Sequence, residues 1–155
     1  MKNLLVIILL SFFVFSCQED WPQGKQGDTI KFSTKKLTLT AQGGETFVTS
    51  KGSNWVIENC LLIDGEDYYL HKGDPIVDGD LEEYYLQRGD QFTVVVDSLG
   101  YDILLIEGLW IKIVKEDKKL TFFADKNETG KERILTVPIR STNYFTAVSL
   151  IQKAE

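Results

Sequence analysis

Residues 109–152 read LWIKIVKEDKKLTFFADKNETGKERILTVPIRSTNYFTAVSLIQ, and this stretch decides the fold. It contains four short runs rich in Val, Ile, Thr, Phe and Tyr, and turns with Asp, Asn, Ser or Gly separate these runs. β-Branched and aromatic residues favour strands, whereas the residues between the runs favour turns. The stretch therefore predicts four strands, at 109–114, 120–124, 133–140 and 144–152.

The region before residue 61 follows the same pattern. Apolar Leu37, Leu39 and Ala41 alternate with two threonines, as in a strand with one buried face. The next two runs, at 45–50 and 54–58, are separated by a Gly-Ser-Asn bend. Seven strands at this spacing, with no sustained helical period, predict an all-β fold and a β-sandwich.

Residues 61–108 break this rhythm and are rich in Gly, Asp and Tyr. They are predicted to form a long insertion between the third and fourth core strands. Runs at 92–96 and 101–106 flank an Asp-Ser-Leu-Gly turn, which predicts a β-hairpin in the second half of the insertion. In its first half, residues 81–86 fit either a helical turn or an edge strand, because several Gly and Pro residues prevent a longer element.

The N-terminus has the organisation of an export signal. Lys2 is followed by an apolar run at 4–14, which is too short to span a bilayer of about 30 Å as a helix. The Val-Phe-Ser-Cys sequence that ends at Cys17 resembles the bacterial lipobox, at which the cysteine is acylated and becomes the new N-terminus. We therefore expect a lipoprotein signal peptide at 1–16 and lipidation of Cys17. The alternative is an ordinary signal peptide followed by an unrelated cysteine.

The rest of the chain divides into a tether and one domain. Residues 17–29 are mostly polar, which predicts an acylated N-terminus and a flexible spacer, and residues 30–155 suffice for a single core. The tract Gln18, Glu19 and Asp20 resembles the surface-export signal of lipoproteins in the phylum Bacteroidetes, and a solvated linker is the alternative. The predicted location is the outer membrane, lipid-anchored, with the domain facing the cell surface or the periplasm.

Charge and cysteine content exclude some functions. The formal net charge of −6 and the absence of a basic cluster argue against a nucleic-acid partner. With Cys17 acylated, Cys60 is the only cysteine of the folded body, so no internal disulfide is expected. Cys60 precedes a Leu-Leu-Ile run, which favours a small buried side chain over a reactive thiol.

Several short pieces of the chain together match the pattern of a known family. One piece is the turn Asn127-Glu-Thr-Gly130-Lys-Glu-Arg133, which precedes a strand and a terminal Ile-Gln pair. The other pieces are Leu-Thr-Leu-Thr-Ala-Gln-Gly-Gly-Glu-Thr at 37–46, Asn54-Trp55, Leu109-Trp110-Ile111 and Tyr144-Phe145. Together these pieces, of which the turn is the most specific, resemble the BACON domain, a family frequent in surface and secreted proteins of gut Bacteroidetes. The resemblance implies an immunoglobulin-like, seven-stranded β-sandwich and a carbohydrate-binding role, although the 61–108 insertion departs from the compact family pattern.

The residues of this turn also have a structural interpretation of their own. Asn127 can bind its own backbone two residues on, and Gly130 can adopt the left-handed conformation of a tight turn. Arg133, at the start of the next strand, is expected to pair with a carboxylate such as Glu128 or Asp125. These positions are therefore predicted to fix a turn rather than to perform chemistry.

The sequence places no catalytic set and no metal site. Cys60, His71 and a nearby aspartate, Asp67 or Asp74, form a Cys-His-Asp arrangement on paper, but they fall on a Gly-interrupted stretch where a solvated histidine is ordinary. Acidic residues at 78–83 resemble the first ligands of a calcium loop, yet Tyr84 stands where such a loop needs glycine. We therefore predict no enzyme activity, no metal and no cofactor.

Aromatic side chains are the candidates for ligand binding. Trp55 and Trp110 lie in predicted strands and are expected to fill the core. Neighbouring residues on a strand point to opposite faces, so one tyrosine of each adjacent pair can be exposed and stack on a sugar ring. The alternative is that the pairs pack the insertion onto the sandwich. The candidate ligand-binding residues are Tyr68, Tyr69, Tyr84 and Tyr85.

These features predict a non-catalytic binding module, held on the membrane by its N-terminal lipid, that presents the 61–108 insertion to a glycan or a protein partner. The alternative function is a structural or accessory subunit of an outer-membrane protein complex.

Overall fold

A computed structural model describes residues 30–70 and 91–155 of the chain. All regular structure in these two ranges is β-strand, and no helix in them could cross a membrane. The predicted all-β fold is therefore confirmed. The strands are β1 (Ile30–Phe32), β2 (Lys36–Leu39), β3 (Gly44–Gly52), β4 (Val56–Ile57), β5 (Cys60–Ile63), β6 (Glu66–Tyr69), β7 (Phe92–Val96), β8 (Ile103–Gly108), β9 (Ile111–Glu116), β10 (Lys119–Ala124), β11 (Arg133–Ser141) and β12 (Tyr144–Gln152).

The strands form two sheets. The first sheet has the order β1-β3-β10-β9-β8-β7, and the second has the order β2-β12-β11-β5-β6, with β4 also paired to β11. Neighbouring strands run antiparallel, except that β2 lies parallel to β12. Both sheets contribute side chains to one core, so the described residues form a β-sandwich.

Alternation along the strands explains how this core forms. In β11, Leu135, Val137 and Ile139 are fully buried, and the residues between them are more exposed. In the first sheet, Val48 of β3 and Phe122 of β10 are equally inaccessible and belong to the same apolar cluster. Each such side chain stabilises the fold by about 1.5–3 kcal/mol, so packing of the two inner faces is the main source of stability.

The number of strands differs from the prediction. Each of the seven predicted core runs contains a strand, and the predicted hairpin supplies β7 and β8, but the described residues hold twelve strands, so that β1, β5 and β6 were not predicted. These three are too short or too polar to show alternation; β6, for example, reads Glu-Asp-Tyr-Tyr. Pairing with a neighbouring strand, rather than an apolar pattern, places them in the sheets.

The predicted insertion at 61–108 is built into both sheets wherever the structure describes it. Strands β5 and β6 extend the second sheet beyond β11, and β7 and β8 extend the first sheet beyond β9. Leu61, Ile103 and Ile106 from this region are fully buried in the common core. The described part of the insertion is therefore part of the sandwich, while the predicted element at 81–86 lies outside the described residues.

The predicted hairpin at 92–106 is confirmed, with a shift at its second strand. Strand β8 begins at Ile103 because the N–H groups of Tyr101 and Asp102 bind Asp97 Oδ1, at 2.8 and 3.1 Å, instead of a neighbouring strand. Strand β9 likewise begins at residue 111 rather than 109, because Leu109 has a φ of +52° and forms the preceding turn.

Candidate functional site

The tyrosines predicted to bind a ligand fall in two places. Tyr68 and Tyr69 lie on β6, an edge strand, whereas Tyr84 and Tyr85 lie outside the described residues, as does Cys17. Tyr68 is half-buried and packs edge-on against the Phe92 ring, with 5.8 Å between the centroids and 83° between the planes. Tyr68 therefore fits the packing alternative. Tyr69, its neighbour on the strand, is also half-buried.

The turn predicted around Asn127 forms as expected. Asn127 is fully buried, and its Oδ1 accepts from the backbone N–H and the hydroxyl of Thr129, at 3.2 and 2.7 Å. Its Nδ2 donates to the carbonyls of Lys131 and Lys153, at 2.7 and 3.0 Å. Gly130 has a φ of +68°, in the left-handed region. One side chain thus joins this turn to the C-terminal end of the chain.

Arg133 behaves differently from the prediction. It begins β11 as expected, but its guanidinium carbon lies 5.3 Å from the centroid of the half-buried Trp110 ring. No carboxylate of the described residues forms an ion pair with Arg133, and Glu128 instead binds Lys126 at 3.1 Å. The predicted pairing with Glu128 or Asp125 is therefore wrong: the cation stacks on an aromatic face instead.

Cys60 lies in a setting that suppresses its reactivity. The side chain is half-buried at the start of β5, and its Sγ is 3.8 Å from Asp67 Oδ1. Burial and the negative charge of Asp67 raise the pKa of the Cys60 thiol to about 11. At neutral pH the thiol is therefore protonated, whereas nucleophilic catalysis requires the thiolate. His71 lies outside the described residues, and those described contain no cluster of metal-ligating side chains.

A cleft that sequence reasoning missed lies at the end of β11 opposite to the Asn127 turn. It has a volume of about 440 Å³ and is open to solvent. Four connections border it: the β3–β4 bend, the β7–β8 loop, the β9–β10 turn and the β11–β12 turn. We call it the end cleft; its lining residues are Asn54, Trp55, Val56, Tyr101, Asp102, Leu104, Lys115, Asp117, Lys118, Arg140, Ser141 and Thr142.

The inner wall of the end cleft combines an aromatic ring with a buried ion pair. Trp55 is 3% exposed, as predicted for a core residue, and its Nε1 donates to Ser50 Oγ at 2.7 Å. Lys115 Nζ lies 4.8 Å from the centroid of the Trp55 ring and forms an ion pair with Asp102. The side chain of Lys115 is only 7% exposed, so Asp102 supplies the charge partner that its burial requires.

The remaining cations of the end cleft also have partners within the protein. Lys118 Nζ donates to Asn54 Oδ1 at 2.7 Å and to the carbonyl of Ser53 at 3.1 Å. Arg140 forms an ion pair with Glu58. Two of the three cations of the cleft are thus neutralised by carboxylates, and the ammonium group of Lys118 already donates to neutral acceptors of the protein. A polar ligand therefore meets no cation that lacks a hydrogen-bonding partner.

The rim of the end cleft carries an exposed aromatic ring on an ordered loop. Tyr101 is 75% exposed. Asp97 orders the loop beneath it, because its Oδ1 accepts the N–H groups of Tyr101 and Asp102. Hydrogen bonds from these two N–H groups, that of Asp102 first, lower the pKa of the Asp97 carboxyl. The aromatic surface is thus held in place rather than carried on an unsupported segment.

One feature of the sequence could have indicated this cleft. Ile111, Ile113 and Lys115 occupy successive inward positions of β9, so a lysine stands where the alternation calls for an apolar residue. A charged side chain in such a position needs a buried partner. The alternation does not identify Asp102 as that partner, because the two residues meet only after β8 and β9 pair.

Comparisons with known proteins bear on the fold alone. No protein-family model matches this chain, and no curated protein matches it. The structure is similar to the NMR structure of a protein from Bacteroides thetaiotaomicron, with a TM-score of 0.56 and 19% identity over 90% of this chain and 98% of that chain. Titin domain M7 gives a TM-score of 0.35 with 9% identity over 85% and 99% of the two chains, a similarity too low to carry an argument.

Proposed function

We propose that this chain is a lipid-anchored, non-catalytic binding module that holds a neutral glycan in the end cleft. The observation that carries the proposal is the exposed ring of Tyr101 at the rim of a cleft whose cations all have an ionic or hydrogen-bonding partner within the protein. Sugars present an apolar face of C–H groups and a periphery of hydroxyl groups. An aromatic ring beside fixed donors and acceptors complements both.

The fold proposed for this module is an immunoglobulin-like sandwich of the BACON type. The order β1-β3-β10-β9 corresponds to strands A, B, E and D of such a sandwich. The order β2-β12-β11, followed by β4 and β5 on the other side of β11, corresponds to strands A′, G, F and C. In this assignment the end cleft lies among the B–C, D–E and F–G loops, together with the additional β7–β8 loop.

The lipid anchor is the second part of the proposal. It rests on the lipobox-like sequence that ends at Cys17. Acyl chains on that residue would contribute about 0.8 kcal/mol for each buried CH₂ group, enough for durable attachment when several chains are present. Metabolic labelling with a radioactive fatty acid tests this part: the parent chain should be labelled and partition into membranes, and Cys17→Ser should abolish both. An unlabelled parent would contradict it.

Glycan binding is tested with the full-length chain, extracted in detergent and applied to a glycan array and to polysaccharide affinity gels. Tyr101→Ala should weaken binding by at least about tenfold, because truncation of an aromatic anchor typically costs more than 1 kcal/mol. Leu99→Ala is the matched control, since Leu99 is 72% exposed on the same loop but does not line the cleft.

The outcomes of this experiment separate three possibilities. Loss of binding in Tyr101→Ala but not in Leu99→Ala supports the end cleft. Loss only in Tyr69→Ala and Tyr85→Ala would move the glycan to the tyrosine pairs and contradict the proposed location. A parent chain that is retained on no glycan would remove the carbohydrate function.

A further inference from the structure

The outer face of the first sheet carries an unusual row of side chains. Antiparallel sandwich sheets commonly have an apolar inner face and a polar outer face. Here, strand register aligns one outward-facing residue from each of five strands into a row that contains a single polar member. This apolar row is Phe47 (β3), Thr121 (β10), Val114 (β9), Leu105 (β8) and Val95 (β7).

The apolar row is accessible at both of its ends. Phe47 is 52% exposed and Val95 is 47% exposed, and three strands separate the two strands on which they lie. Phe123, the next outward residue along β10, is 37% exposed and widens the patch. Between these ends Thr121 is buried, and Val114 and Leu105 are half-buried. Exposed apolar residues grouped on one face mark a contact surface more often than isolated ones do.

Charged rows lie on either side of the apolar row. The row nearer the Gly44 end of β3 consists of Glu45, Phe123, Lys112, Glu107 and Thr93. The row nearer the end cleft includes Thr49, Lys119 and Glu116. On β9, Lys112 therefore lies on one side of the apolar row, and Glu116 lies at the matching position on the other side.

We propose that this face is an interface between two copies of the chain, related by a twofold axis that runs along the apolar row. Such an axis places the apolar row of one copy on that of the other. It also exchanges the two flanking rows, so that Lys112 lies opposite the partner's Glu116 and Glu116 lies opposite the partner's Lys112. Phe123 then lies opposite the partner's Lys119, an arrangement that favours a cation–π contact.

The charges select this axis over the alternative twofold arrangement. An axis parallel to β9 would place Lys112 opposite the partner's Lys112 and Glu116 opposite the partner's Glu116. Like charges brought face to face disfavour that arrangement. The charges of the outer face are therefore complementary to those of a second copy in only one of the two orientations. An isologous interface requires such self-complementarity.

This pairing is compatible with the glycan site but independent of it. The end cleft lies among the loops at one end of the sandwich, whereas the apolar row crosses the middle of the outer face. Two copies joined in this way would each keep an accessible cleft. Two clefts on one assembly would increase the avidity for a polymeric ligand.

The experiment uses the full chain, extracted in a detergent whose density the solvent matches, and follows its association by sedimentation equilibrium. The parent chain should form a dimer as its concentration rises. Phe47→Glu should weaken dimer formation by at least about tenfold, because it buries a carboxylate in the apolar row. Leu99→Glu, an equally drastic change at an exposed site away from this face, should leave it unchanged.

A charge-exchange experiment tests the proposed axis, because in the alternative arrangement neither single charge reversal would add a like-charge contact. Lys112→Glu and Glu116→Lys should each weaken self-association, because each creates like charges across the axis. An equimolar mixture of the two variant chains should form a mixed dimer more tightly than either variant alone, because both facing pairs then have opposite signs. A chain that stays monomeric at all concentrations, or a mixture no tighter than the single variants, would overturn the proposal.

Discussion

The two ends of the sandwich stabilise their buried polar groups in different ways. At the Asn127 end, neutral amides do so: Asn127 and Gln152 are fully buried and donate to main-chain carbonyls. At the end cleft, Lys115 and Asp102 form an ion pair beside the Trp55 ring. Amides lose less hydration energy than charges do on burial, so Asn127 and Gln152 can be fully buried without a charged partner. Lys115 and Asp102 each need the other, because a charge buried alone is costly.

The largest expected effect is the loss of the lysine at the charged end. Lys115→Ala leaves Asp102 largely buried without its cation and should lower the free energy of unfolding by about 3 kcal/mol. Urea denaturation measures this change. Lys153→Ala is the control, because the Lys153–Glu132 pair is exposed, lies outside the proposed interface and should contribute less than about 1 kcal/mol.

A double substitution sharpens this test. Lys115→Met combined with Asp102→Leu removes both charges and should recover most of the stability, since apolar residues can replace a buried pair. If Lys115→Ala costs no more than the exposed control, the charged end does not depend on its ion pair.

The next largest effect is expected at the amide end. Asn127→Asp keeps the acceptor for Thr129 but loses the two donations from Nδ2 to backbone carbonyls. The free energy of unfolding should fall by about 2 kcal/mol, because hydrogen bonds are lost and a buried carboxylate is created. Chemical denaturation measures the change, with exposed Glu128→Ala as a near-neutral control. Equal stability of Asn127→Asp and the parent would show that the Asn127 amide does not stabilise this end of the sandwich.

A smaller effect is expected from the backbone of the same turn. Gly130→Ala should cost about 1 kcal/mol, because a side chain at a φ of +68° is strained although the space around it is open. Gly130→Asn should cost less, since asparagine tolerates the left-handed conformation better. Thermal unfolding of the two variants compares them, and an equal loss would point to a cause other than backbone conformation.

The smallest effect is expected when the solution is acidified and Asp97, at the rim of the end cleft, becomes protonated. Hydrogen bonds from Asp102 and Tyr101 hold the pKa of Asp97 below its ordinary value of 3.8. The contribution of Asp97 is therefore present above that value and is lost as the pH falls through the lower folded-state pKa. The amide NMR signals of residues 101 and 102 should shift in that acidic range, and Asp97→Asn should abolish the shift. A transition at or above the ordinary pKa would contradict the proposed loop support.

Local signals account for what the sequence predicts correctly. The long strands are visible because apolar residues alternate over many positions, as in β11. The Asn127 turn is visible because its hydrogen-bonding partners lie within four residues along the chain. In both cases the residues that decide the structure are close in sequence.

The end cleft is hidden from the sequence because its parts are distant along the chain. Tyr101 lies in the β7–β8 loop of the first sheet and Arg140 lies near the end of β11 in the second, so they meet only when both sheets have formed. Arg133 shows a related difficulty: carboxylates and Trp110 were both available as partners, and only packing decides between them. Short edge strands such as β6 are missed for a third reason, since a paired neighbour defines them rather than their own composition.

The parallel pairing of β2 with β12 has a mechanical consequence. Residues 36–39 lie beside residues 149–152, and flanking hydrogen bonds from Ser149 to Lys35 and from Lys153 to Leu39 extend the contact. A pull that separates the N-terminus from the C-terminus would slide these two strands in opposite directions. The bonds between them would then be loaded together in shear rather than opened one after another. A domain tethered at its first residue and pulled at its last would resist tension through this contact and through the β1–β3 pairing, which precedes it along the chain.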